Sequence, residues 1–251
     1  MEIEKYLDRF NASHDNKPSL QQLSELQRLH MTKIPFENLD VIRRVPIYLN
    51  LNTIYDKIVL RNRGGYCYEL NGLFHWLLRQ LEYNASLIAA TVFRPNGQWA
   101  KPETHAAIIV QLDEPYLVDV GFGDSTILPI PLNGDPQTDV SGTYAVQQSS
   151  KGIFDLIRTR NGESRPLYRF STIEKQLHDF HEGCVFNQVS PESTFTHVDI
   201  VTVATAAGRT TVKDLELTVS EYGVIRSKTI TEDAKGAILM DLFGIDIQNY
   251  R

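Results

Sequence analysis

Cysteine is almost absent from this chain, which has two thiols, Cys67 and Cys184, in 251 residues. Two cysteines so far apart make no disulfide framework, and a reducing compartment leaves both free. A basic surplus is also missing: 25 Lys and Arg stand against 31 Asp and Glu, a net charge of −6. That balance excludes the electrostatic footprint of a duplex nucleic-acid binder. No apolar run approaches the roughly 18 residues of a membrane span, and the acidic opening MEIEKYLDRFN has no signal-peptide core. The expected address is therefore cytoplasmic, without membrane or nucleic-acid partners. Repeats, low-complexity tracts and obvious linkers are lacking as well. What remains, 42% hydrophobic and 22% charged, is ordinary for a globular chain able to bury one large core or two to three packed subdomains.

The first eighty residues carry helical periodicity. Ile3, Tyr6, Leu7 and Phe10 follow the i, i+3, i+4, i+7 spacing, as do Leu51, Ile54, Tyr55, Ile58 and Val59. Ser19 with Gln22 has the form of a capping box for the segment of Leu20, Leu23, Leu26 and Leu29. Leu70, Leu73, Phe74, Leu77, Leu78 and Leu81 make one continuous apolar stripe. From residue 85 the composition turns β-branched and aromatic in ASLIAATVF, HAAIIVQL, YLVDVGF, GTYAVQQ, GIFDLIRTR and LYRF, which predicts a barrel or sandwich. A helical stretch is expected around Ile173 to Phe180. HVDIVTVAT, TTVKDLELTV and GVIRSKTI then read as further antiparallel strands, and residues 232–243 as a closing helix.

One cysteine stands at a chemically telling place. In RGGYCYELNGLF, Arg63 to Phe74, Cys67 enters the first turn of the clearest predicted helix behind Gly64 and Gly65. Unpaired amide groups and the helix dipole at such a position favour thiolate over thiol. The two glycines are expected to let the chain turn sharply and to leave room above the sulfur. A buried structural cysteine is the competing reading.

A nucleophilic thiol needs a base. His105 opens the strand HAAIIVQL, and Asp119 ends the apolar run YLV ahead of a turn formed with Gly121 and Gly123. Pairing of those strands brings imidazole and carboxylate together, giving Cys, His and Asp in chain order with Asp orienting the imidazole. Separately, each is also readable as a strand-end polar residue. The other cluster, HDFHEGC, spaces His178, His181 and Cys184 on one helix face. It offers only three local ligands, so solvated histidines are expected there rather than a metal site.

These motifs together resemble the arylamine N-acetyltransferase family. The RGG-aromatic-Cys-aromatic-Glu-x-Asn pattern is matched by Arg63 to Asn71, with PFENL at Pro35 to Leu39 and DVGFG at Asp119 to Gly123. The histidine before the apolar strand and SPxSxF at Ser190 to Phe195 follow in order. The resemblance implies an α+β, three-part fold built on a papain-like cysteine triad core. Its parts are a helical bundle over residues 1–84, a β-barrel over 85–189 and an α/β lid over 190–251. It implies ping-pong transfer from acetyl-CoA, a co-substrate rather than a bound cofactor, to an arylamine, hydrazine or N-hydroxyarylamine.

By motif position Cys67 is the nucleophile, His105 the base and then the acid, and Asp119 the residue that orients the histidine, with the thiolate–imidazolium pair preformed. Arg63 is expected to pair with Glu37 or Glu69, unless it forms only a surface ion pair. Phe36, Phe122 and Phe195 are expected to wall the acceptor pocket. No phosphate-binding loop for CoA is recognisable, and oligomeric state is left open. An amide synthase or a transglutaminase-like thiol acyltransferase is the alternative for the same triad.

Overall fold

The computed structural model describes residues 1–15 and 17–247. Its N-terminal part holds α1 (Ile3–Arg9), α2 (Leu20–Lys33), the two-residue strand β1 (Phe36–Glu37), α3 (Leu39–Ile42), α4 (Leu51–Tyr55) and α5 (Cys67–Gln80). Ser19 caps α2 by accepting the Gln22 N–H at 3.2 Å. A π-helical turn, Asp56–Leu60, continues α4 and keeps Ile58 and Val59 inside. The apolar stripe of α5 shares one core with Tyr6, Phe10, Leu23 and Leu26. Burying that stripe, rather than helix propensity, is what holds so short a set of helices together.

The middle of the chain is an antiparallel sheet: β2 (Asn84–Val92), β3 (His105–Gln111), β4 (Pro115–Val118), β5 (Ile130–Pro131), β6 (Gln137–Asp139), β7 (Gly142–Ser150), β8 (Ile153–Arg160) and β9 (Glu163–Lys175). The eight strands run in the order β5-β4-β3-β2-β9-β8-β7-β6, and β5 packs against β7, so the sheet curls into a nearly closed barrel. Its lumen is filled by Ile88, Ala107, Leu117, Val146, Leu156 and Phe170.

After α6 (His181–Val189) comes the α/β lid, with β10 (Ile200–Thr205), β11 (Gly208–Lys213), β12 (Glu216–Glu221), β13 (Val224–Thr229) and α7 (Glu232–Phe243). Thr231 caps α7 through the Ala234 N–H, and Gly244 ends it at φ +67°. The lid sheet has five strands because β1 joins it: Phe36 lies opposite Thr202 and Glu37 opposite Val201. On its other edge β1 meets the loop that leads into α5, where the Glu37 N–H donates to the Gly65 carbonyl at 2.9 Å. No helix among the described residues is long and apolar enough to cross a membrane.

Three expected elements are corrected. Residues 173–175 extend β9, so the helical stretch begins later, as a 3-10 turn at Leu177–Phe180 followed by α6. TTVKDLELTV is two strands folded at Asp214, whose φ of +50° makes a tight turn without glycine. YLVDVGF stops being a strand at Val118, which releases Asp119 from the ladder and frees it for side-chain chemistry.

Candidate active site

Cys67 is the first residue of α5 and is 3% exposed. Tyr66 precedes it as the N-cap, and its N–H donates to the Glu69 carboxylate at 3.1 Å. The glycines work differently from the sequence expectation. Gly64 and Gly65 have no left-handed backbone; a Cβ on Gly64 would lie 2.1 Å from the Pro35 carbonyl oxygen. The residue that clears space beside Cys67 is Gly121, where a Cβ would lie 2.7 Å from the Cys67 Cα.

The barrel brings the histidine and the carboxylate to that helix end. His105 starts β3, Asp119 follows β4, and the two strands pair with Ile108 opposite Val118. The imidazole Nε2 lies 2.7 Å from Asp119 Oδ2, which leaves Nδ1 as the ring nitrogen not engaged by the carboxylate. Both His105 and Asp119 are buried. Burial alone would lower the His105 pKa, but the Asp119 charge and hydrogen bond, then the influence of Cys67, outweigh it and raise it to about 10. Asp119 shifts the opposite way. Burial pushes it up, and the charge and hydrogen bond of His105, with donors from Asn71 and the Gly121 backbone, bring it below its ordinary value.

Asn71, one turn after Cys67 on the same helix face, was assigned no role by the sequence reading. Its Nδ2 donates to Asp119 Oδ1 at 2.9 Å and to the Ala106 carbonyl at 2.6 Å, while its Oδ1 accepts the Val120 N–H at 3.0 Å. It thus ties α5 to both the strand of His105 and the loop of Asp119. The i+4 spacing in the Cys67-to-Asn71 motif was the available signal. Tyr168 was also missed. Its ring lies 5.1 Å from that of His105, and its buried hydroxyl approaches the Asp119 carboxylate without a well-formed hydrogen bond.

Beneath the turn that leads into Cys67 lies an ion network. Arg63 is 2% exposed and holds Glu37 at 2.6 Å and Asp40 at 3.0 Å, so it is no surface pair. Glu69, the other expected partner, is taken instead by Lys57, whose ammonium contacts both its oxygens, at 2.8 and 2.9 Å, and Asp40 at 2.8 Å. Burial pushes the Glu69 pKa up, with Lys57 opposing.

Phe36, Phe122 and Phe195 line one cavity of about 340 Å³ between barrel and lid. Phe122 also packs on the His105 ring, with centroids 5.3 Å apart. Asn38 of the PFENL motif braces this wall by donating to the carbonyls of Phe195 and Val198. A larger cavity, of about 650 Å³, opens at the other end of β3, around Gln111 and Glu114. The HDFHEGC residues do not converge. His178 faces solvent, while Cys184 is buried with its sulfur 2.8 Å from the Tyr66 hydroxyl. Burial, partly offset by Tyr66, pushes the Cys184 thiol up to about 11.

Residues 19–251 match the N-acetyltransferase family. The chain is 30% identical to the arylamine N-acetyltransferase of Escherichia coli strain K12, over 98% of this chain and 90% of that protein. It is 31% identical to the Mycolicibacterium smegmatis arylamine N-acetyltransferase, over 98% of this chain and 93% of that one. The structure of the Mycobacterium marinum arylamine N-acetyltransferase in complex with CoA superimposes with a TM-score of 0.91, at 31% identity, over 99% of this chain and 94% of that chain. With matches running from the helical bundle through the lid, this chain belongs to the arylamine N-acetyltransferase family.

Proposed function

We infer that this protein is an acetyl-CoA-dependent arylamine N-acetyltransferase that works through an acetyl-Cys67 thioester. The observation that carries the reading is the buried Cys67–His105–Asp119 constellation at the start of α5, next to the phenylalanine-lined cavity. In the first half-reaction the Cys67 sulfur attacks the acetyl carbonyl. The S–C bond to Cys67 forms, the bond to the CoA sulfur breaks, and imidazolium at His105 gives its proton to the departing CoA thiolate. In the second, the amine nitrogen attacks the thioester, His105 takes the amine proton, and Cys67 leaves as thiolate with the amide formed. Asp119 holds the ring orientation throughout and stabilises imidazolium in both halves.

Acetyl-CoA is the co-substrate, in keeping with the CoA complex of the M. marinum relative. The acceptor is a small aromatic amine, hydrazine or N-hydroxyarylamine, with Phe36, Phe122 and Phe195 contacting its ring. No tightly bound cofactor is required, since the thiol itself carries the acyl group. The three units are residues 1–84 for the nucleophile, 85–189 for histidine and aspartate, and 190–251 for the lid. The enzyme acts in the cytoplasm. Family membership disfavours the amide synthase and transglutaminase-like alternative.

Intact mass after mixing with acetyl-CoA alone tests the reading. One acetyl group is expected on the wild-type protein and none on Cys67→Ala, whereas Cys184→Ala is acetylated and turns over. An unlabelled wild-type protein, or a label that persists in Cys67→Ala, defeats it.

A further inference from the structure

The barrel has a second mouth, at the end away from His105. The cavity of about 650 Å³ opens there, and Gln111 on its rim is the last residue of the strand that His105 begins, about 20 Å away at the usual strand rise. Its walls follow from the period of the strands. Toward this mouth the lumen side chains Ile88 of β2, Ala107 of β3 and Phe170 of β9 are followed on the same strand faces by Ser86, Ile109 and Thr172, all of which line the cavity. The inward positions thus turn polar before β2 and β9 end, so the apolar filling stops short and leaves a cup. An eight-stranded barrel is wide enough to hold one small ligand in such a space.

The cup has an aromatic floor. Phe154 stacks on Phe170, with ring centroids 5.7 Å apart and planes at 23°, and it is only half-buried, so part of its ring is left to the cavity it lines. The neighbouring strand is also bulged here. Between the pairs Ile88–Glu174 and Ala90–Phe170, β2 supplies one residue and β9 three, and Thr172 is the middle one of those three. Bulges recur at barrel rims and beside active sites, where they re-aim a side chain.

Glu114 gives the cup its charge. Among the described residues that line it, Glu114 alone is ionic, with no lysine or arginine to neutralise it. Its Oε1 accepts the Tyr116 hydroxyl at 2.9 Å, and its Oε2 accepts the Asn133 amide at 2.8 Å. Those bonds hold the carboxylate in place and use two of its roughly four lone-pair sites, which leaves acceptor capacity for a ligand.

We propose that this mouth binds a small aromatic cation, an arylamidinium or arylalkyl ammonium, with its ring on Phe154 and its charge on Glu114. Apolar walls with a few polar groups that fix orientation are the common make-up of small-molecule sites, and barrel mouths are among the places where they form. The cup shares no lining residue with the cavity of Phe36, Phe122 and Phe195, so the proposal stands apart from the acetyl-transfer reading.

Benzamidine is the probe, with benzamide as its neutral isostere. Ligand-observed NMR titration of the full chain is expected to show saturable benzamidine binding at least ten-fold tighter than that of benzamide. Glu114→Gln should bring benzamidine down to the level of benzamide. Amide shifts of the wild-type protein give a readout that needs no variant: benzamidine should move those of Ser86, Gln111 and Thr172 and leave that of Cys67 in place. Absence of saturable binding, equal affinity for benzamide, or full affinity in a folded Glu114→Gln protein overturns the proposal. Shifts centred on Cys67, Phe122 and Phe195 overturn it as well, because the probe then occupies the catalytic cavity.

Discussion

Asn71 and Asp119 are joined by a 2.9 Å hydrogen bond that spans the boundary between α5, which Cys67 opens, and the barrel. Through it, the carboxylate facing His105 is aimed by a side chain one turn below Cys67. Asn71→Ala removes this donor and leaves Asp119 Oδ1 with the Gly121 N–H. Loss of a buried hydrogen bond to a charged group is expected to cost about 1.5–3 kcal/mol in chemical denaturation. Single-turnover acetylation should also slow, with Asn71→Asp failing to restore it because Asp supplies no amide donor. Wild-type acetylation in a folded Asn71→Ala protein counts against this positioning role.

Asp119→Asn separates a triad carboxylate from a turn former. Asn keeps the local hydrogen bonds but cannot balance imidazolium, so acetylation of Cys67 should fall on the order of 10³–10⁴-fold in a protein that still unfolds cooperatively. A normal acetylation rate in that variant would remove Asp119 from the mechanism.

The pH dependence follows from opposite shifts in one pair. His105 is raised to about 10, above its unfolded value near 6.5, so its contribution to stability is full below pH 6.5 and is lost as pH rises through about 10. Asp119 is lowered, so its contribution is present above about pH 4 and disappears as pH falls. The Tm difference between wild type and His105→Gln should therefore shrink between pH 7 and 10. His105 stays imidazolium from pH 6 to pH 8, and the ion-pair mechanism then predicts that iodoacetamide alkylates Cys67 at nearly the same rate at both pH values. A rate climbing steadily through pH 9 contradicts a preformed ion pair.

Lys57→Met leaves Glu37, Asp40 and Glu69 with Arg63 as their remaining cation in the network. Removing one member of a buried ion cluster typically costs about 3–5 kcal/mol. Adding Glu69→Gln to Lys57→Met should recover part of that loss, since one uncompensated carboxylate is gone. Denaturant titration of the single and double variants measures it, and a single variant as stable as wild type would show that the network contributes little.

Reading the chain in order reaches Cys67, His105 and Asp119 because each sits where periodicity changes: a helix start, a strand start and a strand end. The phenylalanine wall is visible only through its motifs, since an isolated phenylalanine has the same signature in any core. Lys57 is illegible for a different reason. Its three carboxylates come from β1, α3 and α5, and nothing local to the π-helical turn marks it as buried. Likewise Phe36–Glu37 is too short to alternate, so its membership of the lid sheet depends on a strand more than 160 residues away. The turn at Asp214 escaped notice because its residue is neither glycine nor asparagine.

That two-residue strand has a mechanical consequence. Its Phe36–Glu37 backbone is bonded to Gly65 on one edge and to β10 on the other, so the lid sheet and the thiol-bearing turn form a single rigid strap. Swinging the lid outward as a free flap would pull directly on the loop that positions Cys67. At the far rim, by contrast, the cavity is bordered by Ile225 of the exposed outermost strand, which no such double bonding among the described residues ties to the Cys67 loop.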